Sequence, residues 1–356
     1  MRERIAVRLP AEWEPHERTL MGWPCRRELW GPLLARARED YAAVANAIAA
    51  FEPVTMIANP GADAAQARAM CTAGVEVVEL ALDDSWLRDC GPIYVRRPEG
   101  GRLAIHFRFN AWGEKFAPWE RDAAVGALIA QSLGDQVRRA ELVLEGGSIA
   151  PDGAGTLLTT EQCLLNPNRN PGLSREQLEQ ALRDQLGVER ILWLGHGLVE
   201  DRDTDGHVDL IAAFTRPGQA LLQMVGPDNP NHEHCVENRG RLRGAGVDVV
   251  EVPLLPYREI DGESVAVSYL NFYVCNGAVI VPVVGAGSTP SSASASAGDA
   301  RAGARSGAGD ETDPEALAII ASAYPGREIV PVAGVILAYG GGGPHCITQQ
   351  VPATDV

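Results

Sequence analysis

The chain has 356 residues, of which 31 are Lys or Arg and 47 are Asp or Glu, leaving a formal charge of −16. An acidic balance of this size lacks the clustered positive charge that a nucleic-acid groove or an anionic membrane surface requires, so neither is an expected partner and cationic ligands are favoured. With 46% hydrophobic and 22% charged residues, the composition supports a sizeable core and excludes general disorder. The opening run MRERIAVRLPAEWEPHE lacks the apolar centre of a secretory signal, and no stretch is apolar for the ~18 residues of a membrane span. A soluble, cytoplasmic protein is expected. Cys25, Cys71, Cys90, Cys163, Cys235, Cys275 and Cys346 are scattered without CxxC spacing, which fits a reduced compartment rather than a disulfide framework or a zinc ribbon.

In chain order, apolar spacing predicts a helix over Leu33–Ala50, a strand over Pro53–Ala58, a helix over Ala62–Met70 and a strand over Val75–Leu80. Helices follow over Asp122–Ser132 and Ser174–Leu186, then a strand over Arg190–Leu194. Extended runs are predicted at Leu210–Phe214, Ala220–Val225, Val249–Val252, Ser268–Val274 and Ala278–Val284, with helices at Cys235–Ala245 and Pro314–Ala323. The alternation gives an α/β class. The Asn276-Gly277 turn between two extended runs predicts a hairpin, hence a mixed sheet rather than a purely parallel one. Residues 285–309 (GAGSTPSSASASAGDARAGARSGAG) are too poor in large apolar groups to repay ordering, and read as a flexible surface insertion within one domain, 1–356.

Three clusters carry potential chemistry. DDSWLRDCGP sets Trp86, Arg88 and Asp89 beside a Gly-Pro turn: it is either a solvated loop, or a cleft in which Asp89 and an aromatic wall meet a delocalised cation. EDRDTDGHVD packs five acids and one histidine into ten residues. As a charge run it suggests a solvated face, but an extended backbone entering the strand at Leu210 would send His207 and Asp209 to one side. AYGGGGPHCITQQ brings Cys346 behind four glycines; the sulfur is either a buried, inert packing group or a nucleophile on a tight loop. For metals, the run HEHC (His232, His234, Cys235) is placed in a Pro- and Asn-rich loop, and His207, Asp209 and Cys346 are conceivable zinc ligands. Neither set has dependable ligand spacing, so no metal is expected. Gly146 and Gly147 after Glu145 match no nucleotide-binding pattern.

Taken together, the runs LPAEWEPHERTLMGWP, DDSWLRDCGP, HFRFNAWGEKF, LEGGSI, LLTTEQCLLNPNRNP, DTDGHVD, SYLNFYV and YGGGGPHCITQQ resemble, in order and along almost the whole chain, the agmatine deiminases of the guanidino-group modifying superfamily. The resemblance implies a five-bladed α/β propeller (pentein) of ββαβ units with pseudo-fivefold symmetry, commonly a homodimer. It also implies hydrolysis of agmatine to N-carbamoylputrescine and ammonia without a cofactor, a step of polyamine (putrescine) biosynthesis or of agmatine breakdown. By motif match Cys346 takes the nucleophile position, His207 the acid and base, and Asp89 and Asp209 the guanidinium carboxylates, with Trp86, Glu145 and Asp203 shaping the pocket. The insertion at 285–309 departs from the compact loop expected there.

The residue types suit such a reaction. A guanidinium is planar, charged and rich in forked donors, so two carboxylates can orient it before a thiolate. The same carboxylates should raise the thiol pKa in the empty enzyme, so the thiolate is expected mainly with substrate bound. The acids of Glu200–Asp205 favour an amine-ended substrate over arginine, whose carboxylate would seek Arg88, Arg108, Arg169 or Arg202. A peptidylarginine deiminase, a non-enzymatic polyamine binder and a cysteine protease are the rival readings.

Overall fold

The computed structural model describes residues 7–285 and 312–354; apart from Gly285, the expected insertion lies outside the described residues. Among the described residues, no helix is long and apolar enough to cross a membrane, and all seven cysteines are unpaired.

Five of the sheets repeat one order of pairing. Ile93–Arg96 lies antiparallel to Arg102–Arg108, which runs parallel to Val137–Val143 after the helix Asp122–Ser132. The same sequence of pairings joins Ala150–Pro151, Thr156–Thr160 and Arg190–Leu194 across the helix Arg175–Leu186. It recurs in Ala212–Arg216, Gln219–Gln223 and Asp248–Val252 across His232–Gly244, and in Tyr273–Cys275, Ala278–Val283 and Glu328–Ala333 across Asp313–Ala323. The remaining sheet is built from both ends of the chain. Thr348–Pro352 lies antiparallel to His16–Gly22, which pairs in parallel with Val54–Ala58 after the helix Leu34–Ala49, and Val75–Glu79 adds an outer strand after Ala62–Met70. A hairpin, Tyr257–Ile260 with Glu263–Ala266, stands apart from these sheets. The α/β class and the mixed pairing therefore match expectation, including the hairpin turned at Asn276-Gly277, where Gly277 has φ +80°.

Burial follows from periodicity. The helix Leu34–Ala49 buries Leu34, Ala37, Tyr41, Val44, Ala45 and Ile48, a stripe at helical spacing, against strand Val54–Ala58, every residue of which is buried. This cluster takes in Trp23, Trp30, Trp86, Tyr273 and Ile347, so residues from both chain ends share one core. Helix Arg175–Leu186 is delimited by local chemistry: Ser174 caps its first turn in a capping box with Gln177, and Gly187 ends it in the left-handed region at φ +69°.

Two predicted strands are corrected. Leu210 belongs to a helical turn, Val208–Leu210, and the strand begins at Ala212. Ser268–Phe272 is not strand; it forms a turn, and extended pairing starts at Tyr273. The HEHC run is not in a loop but opens the helix His232–Gly244.

Replacing Ser174 with Ala removes the cap and should lower unfolding free energy by ~1 kcal/mol. Denaturant titration measures this.

Candidate active site

Each of the five sheets is entered through a short turn at its antiparallel edge strand, and each such turn delivers polar groups to one place. The turn Leu87–Cys90 precedes Ile93–Arg96 and carries Asp89. Gly146–Ser148 precedes Ala150–Pro151 and follows Glu145. Val208–Leu210 precedes Ala212–Arg216 and carries Asp209 just after His207. The turn holding Asn271 precedes Tyr273–Cys275, and the glycine run ending in Cys346 precedes Thr348–Pro352. These turns are tied to one another: Arg88 N–H donates to the Cys346 carbonyl at 3.2 Å, and Asn271 Nδ2 donates to the Asp209 carbonyl at 3.4 Å.

The sulfur of Cys346 is 3.3 Å from Oδ2 of Asp209 and accepts a hydrogen bond from Asn271 Nδ2 at 3.1 Å. Asn271 Oδ1 in turn accepts from the Cys346 N–H at 3.2 Å, so one amide clamps both ends of the residue. Asp89 accepts from Trp112 Nε1 and from the Gly147 N–H, each at 2.9 Å, and its Oδ1 lies 3.9 Å from His207 Nδ1. Gly147 sits where these groups converge. A Cβ there would meet His207 Nδ1 at 2.6 Å, Asp209 Oδ2 at 2.8 Å and Asp89 Oδ1 at 2.9 Å, so any side chain would displace the site. Gly342 has the same constraint, because its Cβ would lie 2.8 Å from both the Cys346 sulfur and the Trp86 ring. Close approach, rather than flexibility, explains that part of the glycine run.

Asp89 and Cys346 line one narrow cleft with Trp86, Trp112 and Phe116 as walls and Asp203 toward one end. The walls are braced from behind: Trp86 stacks on Trp30 at 6.1 Å, and Trp112 meets Phe109 and Phe116 edge to face. Free space there is about 20 Å³. A wider cavity of about 190 Å³ shares Asp203 and Gly341 with it and adds Glu200, Asp201 and Glu263.

Of the residues singled out from sequence, Cys346, His207, Asp89 and Asp209 come together, and Trp86 and Asp203 line the cleft. Glu145 does not line it. Fully buried, it accepts from Arg169 Nε at 2.6 Å and stands behind His207 with its second oxygen unpartnered. The backbone reading of His207 and Asp209 is corrected: they are not two residues of one strand, since Asp209 lies in the helical turn, and His207 is fixed by its N–H donating to Asp201 Oδ2 at 2.8 Å. Nor is the acid cluster wholly a solvated face, although Asp203 is exposed. Asp201 is buried beneath the His207 N–H, and Asp205 pairs with Lys115 at 2.7 Å and Arg169 at 2.6 Å. Trp112, Asn271, Gly147, His345 and Glu12 make site contacts without having been assigned from sequence, although every one lies within a quoted run. The indole, amide and backbone contacts among these leave no charge pattern to read.

The electrostatics follow from burial. It raises the Cys346 thiol well above its ordinary value, and Asp209 and Asp89 push in the same direction. Burial also lifts Asp89 to about 6, with His207 opposing and Asp209 and Glu145 adding to it. Asp209 stays below its ordinary value, because His345, His207 and the thiol outweigh its burial. The two carboxylates are thus inequivalent. As for metals, Glu145, Cys163 and His207 keep ligand atoms within 4.8 Å of one another, but the Arg169 guanidinium already occupies Glu145 and disfavours a second cation there. In HEHC, His232 Nδ1 and His234 Nδ1 lie against carbonyl oxygens of Val225 and Gly197.

Comparison with known proteins identifies the family. Residues 8–352 match the model of the Porphyromonas-type peptidyl-arginine deiminase family. An agmatine deiminase of Stutzerimonas stutzeri is 40% identical, covering 98% of this chain and 96% of its own. The agmatine deiminase structure from Enterococcus faecalis superposes with TM-score 0.87 at 32% identity, covering 98% of this chain and 96% of that one. A substrate-bound cysteine-to-serine agmatine deiminase from C. jejuni gives 0.85 at 26% identity, covering 98% and 97%. A cysteine beside two carboxylates in an aromatic cleft, matched along its whole length to such enzymes, makes this chain a member of the Porphyromonas-type peptidyl-arginine deiminase family, similar throughout to its agmatine deiminases.

Proposed function

We propose that this protein is an agmatine deiminase, a hydrolase of the C–N bond of a linear amidine, acting as one catalytic unit over 1–356. The observation that carries this reading is the Cys346 sulfur held 3.3 Å from Asp209 in the cleft that Asp89 and Trp86 share. Asp89 and Asp209 take the guanidinium and orient its carbon before the sulfur. The Cys346 thiolate forms a C–S bond to that carbon, giving a tetrahedral adduct. His207 protonates one nitrogen, the C–N bond breaks and ammonia leaves a thiouronium. His207 then takes a proton from water as its oxygen attacks the same carbon; cleavage of C–S returns the sulfur and releases the ureido product, N-carbamoylputrescine.

Substrate choice follows from the far end of the cleft. Asp203, with Glu200, Asp201 and Glu263 beyond it, suits an ammonium and repels a carboxylate. Two of the four arginines that could have bound an α-carboxylate are engaged elsewhere, Arg88 with Glu12 and Gln350 and Arg169 with Glu145 and Asp205, while Arg108 and Arg202 are exposed. That distribution favours agmatine over free or peptide-borne arginine, despite the family's descriptive name. The five equivalent turns, each entering a sheet of the same pairing order, support blades around a pseudo-fivefold axis, the pentein propeller. Unpaired thiols accord with a cytoplasmic setting in putrescine biosynthesis, and the homodimer implied by the resemblance belongs to the same reading.

Incubation with agmatine should release ammonia and N-carbamoylputrescine in equal amounts, and Cys346→Ala should lower turnover by at least ~10⁴-fold while still binding agmatine. Ammonia without the ureido product contradicts the assignment. Thiol alkylation followed against pH should place Cys346 high in the empty enzyme and markedly lower with a nonreactive guanidine bound; equal values reject substrate-assisted ionisation. Since Asp89 must be ionised to hold the cation and protonates at about 6, kcat/KM for agmatine should fall as pH drops through that value. A profile flat across it removes Asp89 from the role.

A further inference from the structure

The reaction above leaves one buried imidazole beside the nucleophile unused. His345 is 6% exposed; its Nδ1 is 2.8 Å from Asp209 Oδ2 and its Nε2 is 2.8 Å from Glu12 Oε1. A neutral imidazole has one N–H and one lone pair, so it can donate to only one carboxylate, and the other contact would set lone pair against lone pair. Both carboxylates are the kind that stay ionised. Although burial opposes it, His345 and Arg88 hold Glu12 down to about 2, and Asp209 is likewise lowered. The consistent state is an imidazolium donating at both ends.

The groups facing the ring come from several elements. Asp209 lies on its helical turn, Glu12 on the segment before the first strand, and Arg88 on the turn Leu87–Cys90, where it donates to Glu12 Oε1 at 3.2 Å and to the His345 carbonyl at 3.2 Å. Beyond Glu12 stand His16 and Tyr324, and across Asp209 lies the Cys346 sulfur. Burial and Arg88 act against the charged ring, while Glu12 and Asp209 outweigh them. The ring holds Oδ2 of Asp209; Oδ1 is buried and without a partner.

We propose that His345 is a positioning residue, a protonated strut between Glu12 and Asp209 that ties Oδ2 from behind, fixes the carboxylate's orientation and leaves Oδ1 to receive the substrate guanidinium. This rests on the deiminase reading, which assigns Asp209 to the substrate. The strut also cancels the charge of Asp209 on the side away from the cleft, so the carboxylate stays ionised without a substrate cation. His207 remains the only imidazole that exchanges protons with the reacting atoms.

The test combines 15N-histidine NMR of the full chain with pH profiles of the wild type, Glu12→Gln and His345→Gln. The His345 ring should be doubly protonated at neutral pH, and Glu12→Gln, which removes a stabilising anion, should move its titration to lower pH and draw the alkaline fall of kcat/KM down with it. His345→Gln, whose amide N–H groups can still donate but which carries no charge, should lower kcat/KM for agmatine about 10²-fold, more through kcat than KM. A singly protonated ring at neutral pH in the wild type overturns the proposal, as does a Glu12→Gln profile identical to wild type. Should His345→Gln fail to fold, the wild-type spectrum and Glu12→Gln still decide. Absence of agmatine turnover in the wild type would defeat the deiminase reading alone, since the protonation state is read without activity.

Discussion

The site is organised around the cost of holding carboxylates out of water. Asp89, Asp209 and Glu145 are all buried within one small volume, and each has been given a different partner. Asp209 faces a histidine ring at 2.8 Å, Glu145 faces Arg169 at 2.6 Å, and Asp89 accepts hydrogen bonds from Trp112 and a backbone N–H with the His207 ring farther off at 3.9 Å. A buried anion without a matching cation is expensive. Asp89 is thus the carboxylate with the least compensation from the protein, and under the proposed function the rest is left for the guanidinium to supply. The same imbalance raises the Cys346 thiol, so under the proposed function binding of the cation and activation of the nucleophile become one electrostatic event.

Fold and chemistry meet in the turns. Sheets of one pairing order, each entered by a short turn, deliver residues separated by more than a hundred positions in sequence to a common point without any long loop. The turns are short because backbone N–H and carbonyl groups in a buried region must find partners locally. They find them in Asp201, Ser268 and Asn271, whose side chains satisfy the backbone near His207, Leu210 and Cys346. Glycine at 147 and 342 is the steric counterpart, since the reactive groups approach the main chain too closely for a side chain. Rigidity is added by the doubled aromatic wall, in which Trp30 and Phe109 support the rings that face the cleft. An aromatic cleft with Asp89 beside Cys346 and Asp203 shared with the wider acidic cavity suits, under the proposed function, a flexible apolar linker between two cationic groups.

Much of this was legible before any coordinates. Helices with a clear apolar stripe or a strong boundary signal, such as Leu34–Ala49, Asp122–Ser132 and the Ser174-capped Arg175–Leu186, fall where periodicity places them. Strands were less visible. His16–Gly22, Arg102–Arg108 and Thr348–Pro352 combine buried apolar residues with His16, Arg102 and Gln349, polar groups satisfied by Glu52, Asp135 and the Pro92 carbonyl, so their alternation is masked. Ser268–Val274 looks extended because it is rich in aromatic and β-branched residues. Its first part is bent instead by the demand that Asn271 reach the Cys346 backbone and sulfur, a contact seventy-five residues distant in sequence.

Motif order along the chain was enough to show its resemblance to the agmatine deiminases, and the roles of the thiol, the imidazole and the carboxylates came with that resemblance, since each cluster by itself also allowed a structural reading. Sequence could not say which carboxylate pairs with which base, or that Glu145 stands behind His207 rather than against the ligand. It was equally silent on His345 joining Asp209 to Glu12. Those assignments depend on distances of a few ångströms between turns from different sheets, and electrostatic coupling in a buried site changes over that length. Only the folded chain fixes such separations.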